Sequence, residues 1–446
     1  MTVTATAPPT RAAYRDLNVL RWVTGLFLSL LGDSVFFVAL AWTATQVASP
    51  SVAGLVVAAG AVPRAALMLF GGALADRVGP RTTALVSDGA RTAVMLAVAA
   101  VLLLEQPSAA VLIALAVAFG VIDAFFVPAV GAMPAVLVEH HELSRVTAMR
   151  QVVHRATAVA GAPLAGWLIA TSSLSLVYLV CAGLFAVSVA ALATTRTLPR
   201  AASAMSATAD DEGEQRGRRG PWGDGAQERA DRRSDRRPSA RALLDDVTAG
   251  LRYVRGHTLL LPLLVITAVA ELGFAGALNV GLPLLADASG WGPQGVGWVL
   301  GAWGAAAALA SVVLTLTGSP QRAGLVGVAC LPLMGVALAG VALAPGLGAA
   351  AAAAAVLGVG SGVIAPVLGG LTLAAAADDQ VGRVMSVASL AGLGGAPLAY
   401  AATGVLVDLT DPAAPFLLGG ALVTLTGLAA LTSRPVRTAR PDGTTS

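Results

Sequence analysis

GALADRVGPR, residues 72–81, is a short charged interruption between two long apolar runs, and its neighbourhood decides the fold. Before it, residues 52–75 are almost wholly apolar, and after it residues 82–104 are again mostly apolar. Each run has about the 20 residues that an α-helix needs to cross roughly 30 Å of hydrocarbon. The same alternation recurs along the whole chain. Of 446 residues, 56% are hydrophobic and only 12% charged, and the mean hydropathy is +0.78. A water-soluble domain carries about 25% charged residues, so lipid is the main solvent of this chain.

Six apolar spans fall at residues 20–47, 52–75, 82–104, 109–137, 143–170 and 175–195, and six more at 258–286, 294–317, 322–344, 348–377, 383–407 and 413–432. The first is too long for the core of a signal peptide and lacks a small-residue cleavage pattern, so it reads as a retained helix. The expected fold class is therefore an all-α membrane protein with twelve transmembrane helices in two pseudo-symmetric six-helix bundles. The expected division is a tail at 1–19, a first bundle at 20–195, a linker at 196–240, an amphipathic surface helix at 241–257, a second bundle at 258–432 and a tail at 433–446. The linker mixes Asp210–Glu214 with an arginine-rich run from Arg216 to Arg237 and has few large apolar residues, which predicts a solvated, disordered segment. In the stretch after it, Leu244, Val247, Leu251 and Val254 share a helix face with Arg252 and Arg255 nearby, the pattern of a helix lying on a membrane surface.

Arginine marks one side of the spans. All 28 basic residues are arginine. Arg11, Arg15, Arg77, Arg81, Arg145, Arg322, Arg434 and Arg437 fall in loops on one side, while Glu105, Asp287, Asp408 and Asp411 occupy the other. Basic loops stay on the cytoplasmic side, so both termini are expected in the cytoplasm and the protein in the cell's inner membrane. Arginines used in this way explain a pI near 9.3 without nucleic acid. Cys181 and Cys330 lie inside apolar spans without metal or disulfide spacing, and the adjacent His140 and His141 lack the one-face spacing of a ligand set. No metal and no cofactor are expected.

The halves repeat one another. Pro128 and Arg145 recur as Pro366 and Arg383, since 366 − 128 and 383 − 145 both equal 238. GAPLA occurs at residues 161–165 and again at 395–399. Parallel six-helix repeats around a midplane site describe an alternating-access carrier.

The 72–81 loop resembles the signature loop of the major facilitator superfamily. LGDSVFFVALAW in span 1, VSDGARTAVML in span 3 and GLRYVRGH before span 7 further resemble the branch containing the enterobactin exporter and related macrolide and drug exporters. That resemblance implies a cytoplasmic gate. Gly72 would allow close helix approach, Asp76 would bridge to a helix N-terminus of the other half, Gly79 would take a positive φ, and Arg77 and Arg81 would hold the loop inside. Pro80 departs from the pattern, standing where a basic residue is usual. AVAGAPLAGW at 158–167 partly matches the antiporter motif, which implies a hinge at Gly161, Pro163 and Gly166, with Trp167 where a further glycine is usual.

Ionisable side chains at membrane depth are costly and usually face a cavity or a partner. Asp33, Arg64, Asp123 and Glu271 are such residues, and they are the candidates for proton coupling or substrate binding. Asp33 and Arg64 have a second reading as a mutually neutralising buried pair. Asp88 and Arg91, three apart on one helix face, are expected to join Asp76 in the cytoplasmic gate. Phe36, Phe37, Phe125, Phe126 and Asn279 are candidate pocket-lining residues. Arg150, His154 and Arg155 either meet an anionic substrate or snorkel to the inner surface. No phosphate-binding loop is present and no clustered nucleophile, base or metal set suggests a membrane-embedded enzyme. The expected function is export of an amphipathic drug-like compound or siderophore by proton antiport, with an uptake symporter as the rival. The expected partners are a small-molecule substrate, protons and the lipid bilayer, and the expected state is a monomer.

Overall fold

A computed structural model describes residues 16–197, 240–318, 320–377 and 380–440. The expected linker, apart from residues 196, 197 and 240, falls outside them, as do Arg11, Arg15 and both chain ends. Among the described residues, twelve helices are long and apolar enough to span a membrane. The first six are α1 (Leu17–Val47), α2 (Pro50–Val78), α3 (Pro80–Leu104), α4 (Ala109–Leu137), α5 (Leu143–Thr171) and α6 (Leu174–Ala193). A further helix, α7 (Ala240–Gly256), precedes the second six: α8 (Leu260–Ala288), α9 (Gly292–Thr317), α10 (Ala323–Ala342), α11 (Leu347–Ala375), α12 (Val381–Leu409) and α13 (Ala414–Thr432). Ser108 and Ser173 cap α4 and α6 by accepting the N–H groups of Val111 and Leu176, respectively.

The turn in GALADRVGPR is tighter than the sequence suggests. α2 runs to Val78 and α3 starts at Pro80, leaving Gly79 as the whole connection. Gly79 has φ 98°, where a side chain would be strained, and its N–H closes α2 on the carbonyl of Ala75. Pro80 then opens α3, a position where its missing N–H removes no helical bond.

Small residues set the packing within each half. A Cβ on Gly120 of α4 would run into the backbone of Gly60 on α2. In the second half, Gly358 of α11 meets the backbone of Trp303 on α9, and 358 − 120 is again 238. The pseudo-symmetry therefore reaches the level of single contacts. It breaks at the GAPLA repeats, because α5 continues through Pro163 whereas α12 divides into Val381–Leu393 and Ala396–Leu409 ahead of Pro397. α8 carries a π turn at Ala277–Gly281 just before Pro283, whose missing N–H already costs the helix a bond.

The halves meet through α5 against α9 and α2 against α12. Gly166 approaches Gln294 and Gly297, Gly297 approaches Ala162 and Pro163, and Gly54 lies against Gly404. These contacts lie on the helix portions nearer the acidic loops. There Gln46 Nε2 donates to Asp287 Oδ1 at 3.0 Å, and the Ser51 N–H donates to Asp408 Oδ2 at 2.9 Å. At the opposite, arginine-loop end, the Val381–Leu393 part of α12 packs on α7, α8 and α11 of its own half. The molecule is thus closed at its acidic-loop end and open at its arginine-loop end.

Candidate functional site

Five charged side chains from four helices of the first half converge on one cluster, buried except at Arg64, whose side chain is 37% exposed. Arg91 of α3, fully buried, lies 3.4 Å from Asp33 Oδ1 on α1 and 3.2 Å from Asp88 Oδ1 on its own helix, and it is bound to Asp123 of α4. Arg64 of α2 reaches the other Asp123 oxygen at 2.8 Å, with its N–H turned away from the hydrogen-bond direction. Asp88 is the best held of the carboxylates, since the Ser29 and Ser188 hydroxyls donate to it at 2.9 and 2.7 Å. Three rings pack on the Arg91 guanidinium, with Phe126 at 3.8 Å, Phe119 at 5.1 Å and Phe185 at 5.5 Å from their centroids. Three aspartates against two arginines leave the cluster one negative charge in excess when all are ionised.

Asp33 is the carboxylate that this arrangement holds least. Its side chain is 14% exposed, against 3% for Asp123 and 0% for Asp88, and its Oδ1 receives no hydrogen bond among the described residues. Asp33 and Arg64 do not form the isolated pair that their sequence positions allow. Each is tied in through a third residue, Arg91 or Asp123.

Next to the cluster lies a cavity of about 120 Å³ between the halves, lined by Phe36, Phe37 and Arg64 from one side and Asn279 and Tyr400 from the other. Phe36 stacks on Phe119 at 3.8 Å, and Phe37 meets both rings edge-on. Asn279 enters from the π turn of α8, its amide donating to the carbonyl of Ala275. Phe125 and Phe126, expected as lining residues, are not among those around this cavity. Phe126 is buried beneath Arg91 because adjacent helical residues point about 100° apart, and only one helix face can meet the cavity. Glu271 stands apart from the cluster in a separate cleft of the second half.

Two expectations for the gate are corrected. Asp88 and Arg91 sit in the buried cluster and not with Asp76, because the helix face they share turns toward α1 and α4. A Cβ added at Gly72 would meet nothing within 4 Å in this open state, and the close approach is made by Gly71, where a Cβ would run into the backbone of Ala124 and Phe125. Asp76 and Arg77 are exposed, and no hydrogen bond or ion pair reaches Asp76 among the described residues. Arg81 instead caps the end of α6, donating to the carbonyls of Leu192 at 3.2 Å and Ala193 at 2.7 Å, where the helix dipole favours a cation.

At the expected hinge, Gly161 packs on Ser34, Pro163 on Gly297 and Gly301, and Gly166 on Gly297. His154 and Arg155 are exposed on α5. Ser29, Ser188, Phe119, Phe185 and Tyr400 are site residues that the sequence does not single out.

Three solved structures share this architecture. A D-xylose-proton symporter aligns with TM-score 0.66 and 12% identity over 96% of this chain and 98% of its own. A nucleoside transporter aligns with TM-score 0.66 and 11% identity over 94% and 100%, and a peptide transporter in complex with sulfate with TM-score 0.65 and 14% identity over 94% and 95%. At these identities the likeness is one of fold. No curated relative matches the chain in sequence. The family model described as Major Facilitator Superfamily matches residues 22–314, a stretch that contains every charged residue of the buried cluster. Twelve spans in two repeated halves, a cavity between them and that match together make the chain a transporter of the Major Facilitator Superfamily.

Proposed function

We propose that the protein exports an amphipathic small molecule from the cytoplasm across the cell's inner membrane in exchange for protons. The observation that carries this reading is the buried cluster of three carboxylates and two arginines beside a cavity shared by both halves. One proton on Asp33 cancels the excess charge and releases Arg91 to Asp88 and Asp123, which changes the charge around Arg64 at the cavity wall. Proton occupancy and substrate occupancy are then coupled through neighbouring groups. Arginine-rich loops support a cytoplasmic position for the termini and for the open end, so this state receives substrate from inside. Asp76, Arg77, Gly79 and Arg81 form the gate turn in this reading. Residues 196–240 are the cytoplasmic linker, and α7 is the surface helix that leads into the second half.

Accumulation of fluorescent amphiphiles and iron-free siderophores in efflux-deficient cells tests it. The expected result is lower accumulation with the protein present, abolished by a protonophore and by Asp33→Asn. Raised accumulation that depends on the proton gradient would instead establish uptake.

A further inference from the structure

The cleft that holds Glu271 is built from α8, α10, α11 and α12 and has a volume of about 220 Å³. Most of its wall is apolar, with Phe274 on α8, Met334 on α10, and Met385 on α12. No arginine, lysine or histidine lines it among the described residues, and no described residue pairs with Glu271. A carboxylate left alone at membrane depth is costly and calls for a counter-charge.

The other polar groups of the cleft sharpen the chemistry. Three hydroxyls line it, and each has donated its proton to its own helix: Thr267 to the Leu263 carbonyl at 2.9 Å, Ser361 to Gly358 at 2.9 Å and Thr372 to Leu368 at 2.8 Å. What remains toward the cleft is hydroxyl lone pairs, two thioether sulfurs and a carboxylate. With Glu271 ionised, all of these accept hydrogen bonds and none donates. An anion or a neutral carbonyl compound finds no donor there. A protonated amine brings both the missing charge and the missing N–H donors, and its carbon body suits the aromatic and thioether wall.

We propose that this cleft binds a protonated amine with an apolar body, its ammonium on Glu271 and its remaining N–H groups turned to the Thr267, Ser361 and Thr372 oxygens. The cleft is separate from the Arg91 cluster, so proton exchange at Asp33 and cation binding at Glu271 occupy different halves. This deepens the export reading by naming the class of cargo, yet binding is measured without transport, so either can fail alone.

The test is titration calorimetry on the detergent-purified full chain with four matched probes: phenylbutylamine, its trimethylammonium analogue, phenylbutanol and phenylbutyrate. The amine is expected to bind most tightly, the trimethylammonium ion more weakly for want of N–H donors, and the alcohol and acid not measurably. Glu271→Gln should weaken amine binding about tenfold or more, the loss of a charged hydrogen bond. Thr372→Val should narrow the gap between amine and trimethylammonium. Each variant is first compared with the parent by gel filtration and melting temperature, and if Glu271→Gln does not fold, Thr267→Val and Thr372→Val together carry the comparison. Equal binding of the acid, amine binding unaffected by these variants, or no binding of any probe overturns the proposal.

Discussion

Arg91 is fully buried, so its charge is balanced by neighbours: Asp33, Asp88 and Asp123 and three aromatic rings around it. Removing one member of such a set leaves the rest as uncompensated buried charge, at a cost of about 3–5 kcal/mol. Arg91→Met is therefore expected to lower the melting temperature of the purified protein sharply, because three carboxylates would face Arg64 alone. Asp33→Asn acts in the opposite sense. It removes the surplus negative charge from the carboxylate with the fewest partners, so the variant should melt at or above the parent. Tryptophan fluorescence in detergent measures both, and equal losses for the two variants would refute the charge balance argued for the cluster.

At the scale of the helices, closure of the acidic-loop end rests on glycine. The Cβ position of Gly404 lies 3.0 Å from Ser51 Cα and 3.1 Å from Gly54 Cα, which is too close for a side chain on either helix. Gly404→Val forces α2 and α12 apart, and overpacking of this kind costs about 1–3 kcal/mol. Differences of that size change the ratio of two states by about five-fold or more. Spin labels at Ala48 and Thr410 should then report longer distances than in the parent, and an unchanged distribution would mean that the contact does not hold this end shut. The spans themselves were legible in the sequence, since uninterrupted apolar runs of membrane-crossing length admit few other structures. The inter-helix glycines were less so. Gly71 and Gly72 are neighbours in sequence, yet only Gly71 packs on α4, and which of the two does so depends on a helix rotation that no local pattern records.

For the whole molecule, the same limit explains what the sequence concealed about the site. Asp33, Arg64 and Asp123 stand out because charge is rare at membrane depth, whereas Ser29, Ser188, Phe119 and Phe185 look like ordinary residues of an apolar helix until four separate helices are assembled. Asp88 and Arg91 were visible as a pair, but their distance from the arginine loops did not reveal that they face inward. Alternation between the two states requires the acidic-loop end to open. The polar contacts there, Gln46 to Asp287 and Ser51 to Asp408, are exposed and contribute little, as surface interactions do. A covalent bond in the same place changes that balance. Ser51→Cys with Asp408→Cys, expressed with Cys330→Ser to leave Cys181 buried as the sole other thiol, should form a disulfide that holds the end closed. Oxidised protein is expected to lose transport and recover it on reduction, while the Glu271 cleft binds phenylbutylamine equally well in both forms, because neither engineered position lines it. Transport that persists in fully oxidised protein would show that this end need not open, and with it the alternating-access reading of the two halves would fail.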